Sequence, residues 1–97
     1  MRPVQLADLE AAARVLMRVA PETRRTVMHD MIACAQKADR YRIITGRPHP
    51  RWGTGTLMSR ALRQQMAPRP AALEPDTLHA YAVALGAVMA HTSHQSV

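Results

Sequence analysis

Apolar side chains recur at spacings of three and four on both sides of a single proline, and this pattern leaves the chain little choice of fold. The first stripe, Leu6, Leu9, Ala13, Leu16 and Met17, predicts an amphipathic helix over Leu6 to Val19, with Glu10, Arg14 and Arg18 on other faces. Ala20-Pro21-Glu22 then interrupts and restarts the chain, because proline suits a first helical position and a carboxylate faces the positive end of the new helix dipole. The second stripe, Val27, Met28, Met31, Ile32, Ala35 and Ala38, keeps the 3.6-residue period until Gly46, a natural left-handed stop. Two helices joined by a short turn predict a long antiparallel helical hairpin over residues 1–46.

Glycine and proline punctuate the remainder. Gly46 to Gly55 holds three of the four glycines, two prolines and the one tryptophan, so a structured Gly/Pro/Trp loop is expected. Thr54 or Thr56 caps a short third helix reaching about Gln65, with Leu57, Met58, Ala61 and Leu62 on its apolar face, and together these make a basic segment over 47–66. The stretch Met66-Ala-Pro-Arg-Pro-Ala-Ala-Leu-Glu-Pro75 reads as an extended, Pro-rich linker centred on 67–75. A C-terminal helix over 76–91 follows, with Leu78, Ala82, Leu85 and Met89 on one stripe and no charged residue between Leu78 and Ala90. A helix that is apolar on most faces is normally covered, by its own fold or by a partner. No segment alternates like a strand, so the fold class is all-α, in one domain over 1–97.

Ninety-seven residues suffice for one domain and no more. Of the 46 hydrophobic residues 17 are alanine and none is phenylalanine, which predicts closely packed helices around a thin core and favours self-association. Cys34 is the one cysteine, so an internal disulfide and a cysteine-ligated zinc site are excluded. No apolar run approaches the roughly 18–20 residues of a membrane span, and Met1-Arg2-Pro3 does not lead into a signal-peptide core. A soluble, cytoplasmic protein without membrane contact is expected.

The net charge of +6 is unevenly placed. Residues 1–36 carry five arginines against four acids, residues 37–69 carry eight Lys or Arg against Asp39, and residues 70–97 carry only Glu74 and Asp76. The middle third therefore holds +7, and twelve of the thirteen basic residues are arginine, whose planar donor fork suits phosphate. The candidate nucleic-acid contacts are Arg40, Arg42, Arg47, Arg51, Arg60 and Arg63; a merely solvated basic face is the competing reading. Trp52 either stacks on a base or pins its loop to the end of the hairpin. Glycines 46, 53 and 55 do not make a phosphate-binding loop, since no strand precedes them and no Gly-Lys-Ser/Thr follows. His91 and His94 are three apart without a third ligand, the other histidines are scattered, and no carboxylates pair, so no metal, no cofactor and no enzyme activity are expected. Helix three, with Arg60 and Arg63, follows too long a turn for a helix-turn-helix reader, which leaves non-specific attraction to phosphates.

The block Ala38-Asp39-Arg40-Tyr41-Arg42 and the run from Thr45 to Met58, together with Met1-Arg2-Pro3-Val4 and Ala11-Ala12-Ala13-Arg14, resemble a family of short alphaproteobacterial proteins, the small terminase subunits of gene transfer agents. The likeness spans nearly the whole chain. It implies a non-enzymatic, oligomeric DNA-packaging adaptor that binds double-stranded DNA non-specifically and engages the large terminase subunit. On that resemblance the hairpin is the assembly element, with Val27, Met28, Met31 and Ile32 as core or oligomer interface. The arginine-rich middle faces DNA, and Leu78, Tyr81 and Leu85 are the candidate dock for the large subunit. The chain departs from small terminases in general by lacking a separate helix-turn-helix before the hairpin, which fits packaging without a choice of sequence. The alternatives are a small dimeric nucleic-acid-binding regulator and a protein-interaction module whose arginines meet an acidic partner.

Overall fold

The computed structural model describes residues 1–95, with side chains to residue 93. Four α-helices follow one another: α1 (Leu6–Leu16), α2 (Arg24–Thr45), α3 (Leu57–Ala61) and α4 (Pro75–Gln95). No strand occurs among the described residues, and the one β-type contact is an isolated bridge between His49 and Gly53. The all-α class and the order long helix, short third helix, C-terminal helix are as expected.

The helix ends carry the physical reasons for their positions. Asp8 sits in the first turn of α1 and its Oδ2 accepts the Gln5 N–H at 2.7 Å, so a carboxylate satisfies an orphan donor at the positive end of the dipole. Its Oδ1 accepts the Met58 N–H at 2.9 Å, so the same buried carboxylate ties the start of α3 to the start of α1. Helix α1 stops at Leu16, three residues short of the expected Val19, because the chain tightens there: Arg18 N–H donates to Val15 and Val19 N–H to Leu16. Pro21–Thr23 forms a 3-10 turn that leads into α2, and α2 ends at Gly46, whose φ of 72° is the left-handed stop. Thr56 is the cap of α3, its Oγ1 accepting the Ser59 N–H at 3.1 Å. That helix ends at Ala61 and not near Gln65, because Ala67 then pairs with Arg14 of α1 through two hydrogen bonds, N–H to carbonyl at 2.9 Å and Arg14 Nε to carbonyl at 2.7 Å.

α1 and α2 are the arms of the hairpin, and most of what they touch is α3 and α4. α4 packs on both arms: its start meets Arg24 of α2, and Gln36 of α2 reaches His91 near its other end, so α4 runs parallel to α2. α3 packs on both arms as well. Nine of the sixteen buried apolar residues are alanines, which is what lets four helices approach closely in a chain with so few large side chains. Met28, Met31, Leu16, Val15 and Leu57 supply the larger volume.

Two stripes lie differently from expectation. On α1 the expected Ala13 and Leu16 are buried and Leu9 and Met17 pack against the core, but Leu6 is 73% exposed and the inward side widens to take in Asp8, Ala11, Ala12 and Val15. On α4 the inward side is Thr77, Ala80 and Ala84, whereas Leu78, Leu85 and Met89 are 50%, 47% and 60% exposed. Periodicity marks a stripe without saying which of two stripes faces in. Alanines win on α4 because they allow it to lie deep against α1 and α2, which larger side chains at those positions would prevent.

One buried residue joins three elements. Arg24, 1% exposed, donates from Nε to the carbonyls of Leu16 (2.8 Å) and Val19 (3.2 Å), and from Nη2 to Asp76 Oδ1 (2.8 Å). Its Nη1 lies 2.9 Å from His79 Nδ1. A cation is thus set against the carbonyl end of α1 while its fork holds the first turn of α4.

Candidate nucleic-acid interface

The loop between Gly46 and Thr56 is rigid for identifiable reasons. His49 and Gly53 exchange backbone hydrogen bonds at 2.7 and 3.1 Å, and His49 Nδ1 accepts the N–H groups of Arg51 (3.0 Å) and Trp52 (3.2 Å). The ring therefore acts as an acceptor at Nδ1 and carries its proton on Nε2. Gly53 and Gly55 have φ of 86° and 93°, and a Cβ at Gly55 would stand 2.6 Å from the Cα of Asp39. Glycine is required there because the loop backbone lies directly on α2. Thr54 N–H also donates to Ser59 Oγ at 3.1 Å, which fastens the far end of the loop to α3.

Trp52 is half-buried. His49 stacks on it at 4.5 Å with the planes 8° apart, Tyr41 meets His49 edge-on at 5.0 Å, and Lys37 Nζ lies 5.7 Å from the indole centroid. The indole's contacts are thus taken up by its own chain, and of the two expected roles the geometry favours the pin. Through Trp52 and His49 the loop is clamped onto the Lys37–Tyr41 side of α2.

The six candidate arginines divide into two groups. Arg42 is committed to Asp39 at 2.8 Å, and Arg60, with little side-chain exposure, pairs with Asp30 at 3.5 Å. Arg42 neutralises the acid on which the loop backbone lies, and Arg60 carries a charge of α3 across to α2. Arg40, Arg47 and Arg51 are exposed, and among the described residues no ion pair engages them. Arg63 is exposed too, and its Nη1 donates to the Pro50 carbonyl at 2.9 Å, which brings it beside Arg51. Arg51 and Arg63, with Lys37 held over Trp52, are therefore gathered at one end of the molecule; Arg47 opens the same loop and Arg40 lies on α2 next to Tyr41.

The other expected sites lie as follows. Met28 and Met31 are fully buried and Ile32 nearly so, while Val27 is half-buried, so the first three belong to the core of this chain and are closed to a second copy. Tyr81 is half-buried against that core, leaving Leu78 and Leu85 as the exposed members of the third set. Cys34 is buried. No group of three metal-ligating side chains occurs among the described residues; the side chain of His94 lies outside them. Among the described residues no helix is long and apolar enough to cross a membrane.

Arg24 and Asp8 were the residues that sequence reasoning passed over. Each stands in line with an apolar stripe, Arg24 with Met28, Met31, Ala35 and Ala38, and Asp8 with Ala12 and Val15. A charged residue in register with a buried stripe is the signal that would have found them.

No curated protein and no solved structure matches the chain. The sequence profile of a family described as a domain of unknown function, DUF7742, matches residues 2–88, nearly the whole length of the four-helix fold, and the chain belongs to that family.

Proposed function

We propose that this protein is a non-enzymatic DNA-packaging adaptor, similar in role to a small terminase subunit, that binds double-stranded DNA through its phosphates. One observation carries the reading: four exposed arginines, Arg40, Arg47, Arg51 and Arg63, on and beside a loop pinned to α2, while Asp39, on which the loop lies, and Asp30 are already paired with Arg42 and Arg60. Guanidinium groups that hold no carboxylate bind polyanions without first breaking ion pairs of their own. Base reading has little support, since α3 is five residues long and its Arg60 is held by Asp30. Sequence-independent binding suits an adaptor that packages DNA without selecting it.

Single-copy binding of this kind has a dissociation constant on the order of 10⁻⁴–10⁻⁶ M at physiological salt, so the working unit is an oligomer whose repeated arginines act together. The further partner is the large terminase subunit. Either protein contact draws on the exposed apolar side of α4. The test is binding to two duplexes of equal length and unrelated sequence, followed by fluorescence anisotropy. Equal affinities within about twofold are expected; a difference of tenfold or more, about 1.4 kcal/mol, would show base reading and overturn the non-specific mechanism.

A further inference from the structure

Along the outward side of α4, Leu78, Ala82, Leu85 and Met89 follow one another at spacings of four, three and four, the seam of a two-helix coiled coil. All four are exposed, and no charged residue stands between Leu78 and Ala90. Gly86 lies beside this seam at the centre of the helix, where a Cβ would meet nothing within 4 Å. Glycine in a helix interior costs about 1 kcal/mol relative to alanine, and the chain's own packing gives no reason for it. A second helix backbone approaching there gives one.

We infer that this face of α4 receives α4 of a second copy, antiparallel, about a two-fold axis between residues 82 and 85. The choice of occupant rests on three features. The seam is complementary to itself only in the antiparallel sense: Leu85 then faces the partner's Ala82 and Leu78 faces the partner's Met89, so each small residue meets a large one, whereas a parallel pair leaves Ala82 facing Ala82. Charge permits it. A chain with net +6 associates with itself most readily where that charge is sparse: Arg25 of α2 is the one charged residue in the groove that borders Ala82 and Gly86, and the arginine loop belongs to the α3 end of the hairpin, which makes its main contacts with α1 and α2 and not with α4. The area fits a weak pair: with the axis between 82 and 85, residues 75–92 of the two helices overlap over about 27 Å and cover at most on the order of 1,000 Å², the size of a weak, transient association.

The inference takes up the oligomeric part of the reading above and is independent of DNA. A chain that dimerises through α4 and ignores DNA would end that reading and leave this one standing. Two measurements test it, both without DNA. Analytical ultracentrifugation of the intact chain is expected to show monomer passing to dimer as concentration rises to about 200 µM, and Leu85→Glu to remain monomeric with unchanged helical circular dichroism and melting temperature. In a Cys34→Ala background, a short bis-maleimide is expected to cross-link Leu85→Cys, whose two copies lie roughly 5 Å apart along the axis. It should spare Leu78→Cys, whose copies lie about 16 Å apart along it. Equal cross-linking of both variants would mean a parallel pair and overturn the arrangement. A monomer at every concentration, with neither variant cross-linked, would overturn self-association and leave this face to a different protein such as the large subunit.

Discussion

Gly55→Ala is expected to destabilise the fold by about 3 kcal/mol or more, lowering the melting temperature by roughly 15–20 °C. Two costs add at this position. The φ of 93° is one that side chains rarely adopt, worth about 1–3 kcal/mol, and the new methyl would overlap the Cα and Cβ of Asp39, both 2.6 Å away. Neither side can yield cheaply, since Asp39 is in the interior of α2 and the Gly55 carbonyl accepts the Arg2 N–H at 2.9 Å. Gly46→Ala is the matched control. Its φ of 72° carries strain, but nothing lies within 4 Å, so about 1 kcal/mol is expected. Thermal denaturation of both variants checks the contrast; equal and small shifts would mean that the loop does not lie on α2.

Arg24→Met is expected to cost about 3 kcal/mol. Methionine restores the length and the apolar stem but none of the donors: the half-buried Val19 carbonyl loses its guanidinium partner and the Leu16 carbonyl keeps only the Val19 N–H, so two charge-assisted hydrogen bonds of about 1–2 kcal/mol each are lost. Asp76 suffers less, because it is 61% exposed and water replaces the guanidinium. The loss therefore falls on the junction of α1, α2 and α4, and urea denaturation should show a lower midpoint with an unchanged slope. A loss below about 1 kcal/mol would show that the packing of Ala80 and Ala84 holds α4 without the arginine.

The parts of the fold legible in the sequence are those set by local chemistry. Pro21, Gly46 and Thr56 mark helix ends because a fixed φ, a left-handed φ and a hydroxyl acceptor act within a few residues. The α2 stripe was legible as well, since Met28, Met31, Ile32, Ala35 and Ala38 are buried and Val27 packs against the core. What the sequence hid depends on partners distant along the chain. α4 turns Thr77, Ala80 and Ala84 inward, with Tyr81, Val83 and Val88 at the edges of that face, a choice set by its contact with α1 and α2, and α3 is short because Ala67 is claimed by Arg14. The same holds for the site. The arginines were legible as a cluster, but which of them are free depended on Asp30 and Asp39, one a long way from Arg60 in sequence and one beside Arg42.

The salt dependence of DNA affinity shows whether the exposed arginines hold phosphates. If Arg40, Arg47, Arg51 and Arg63 each neutralise one phosphate, the plot of log affinity against log salt has a slope of about −3.6, from roughly 0.9 per phosphate. Replacing all four with glutamine is expected to flatten that slope to near zero and to weaken binding alike on every sequence, whereas Arg42→Gln with Arg60→Gln leaves the slope almost unchanged. A slope that survives the fourfold replacement would place the phosphate contacts on another face and contradict the account.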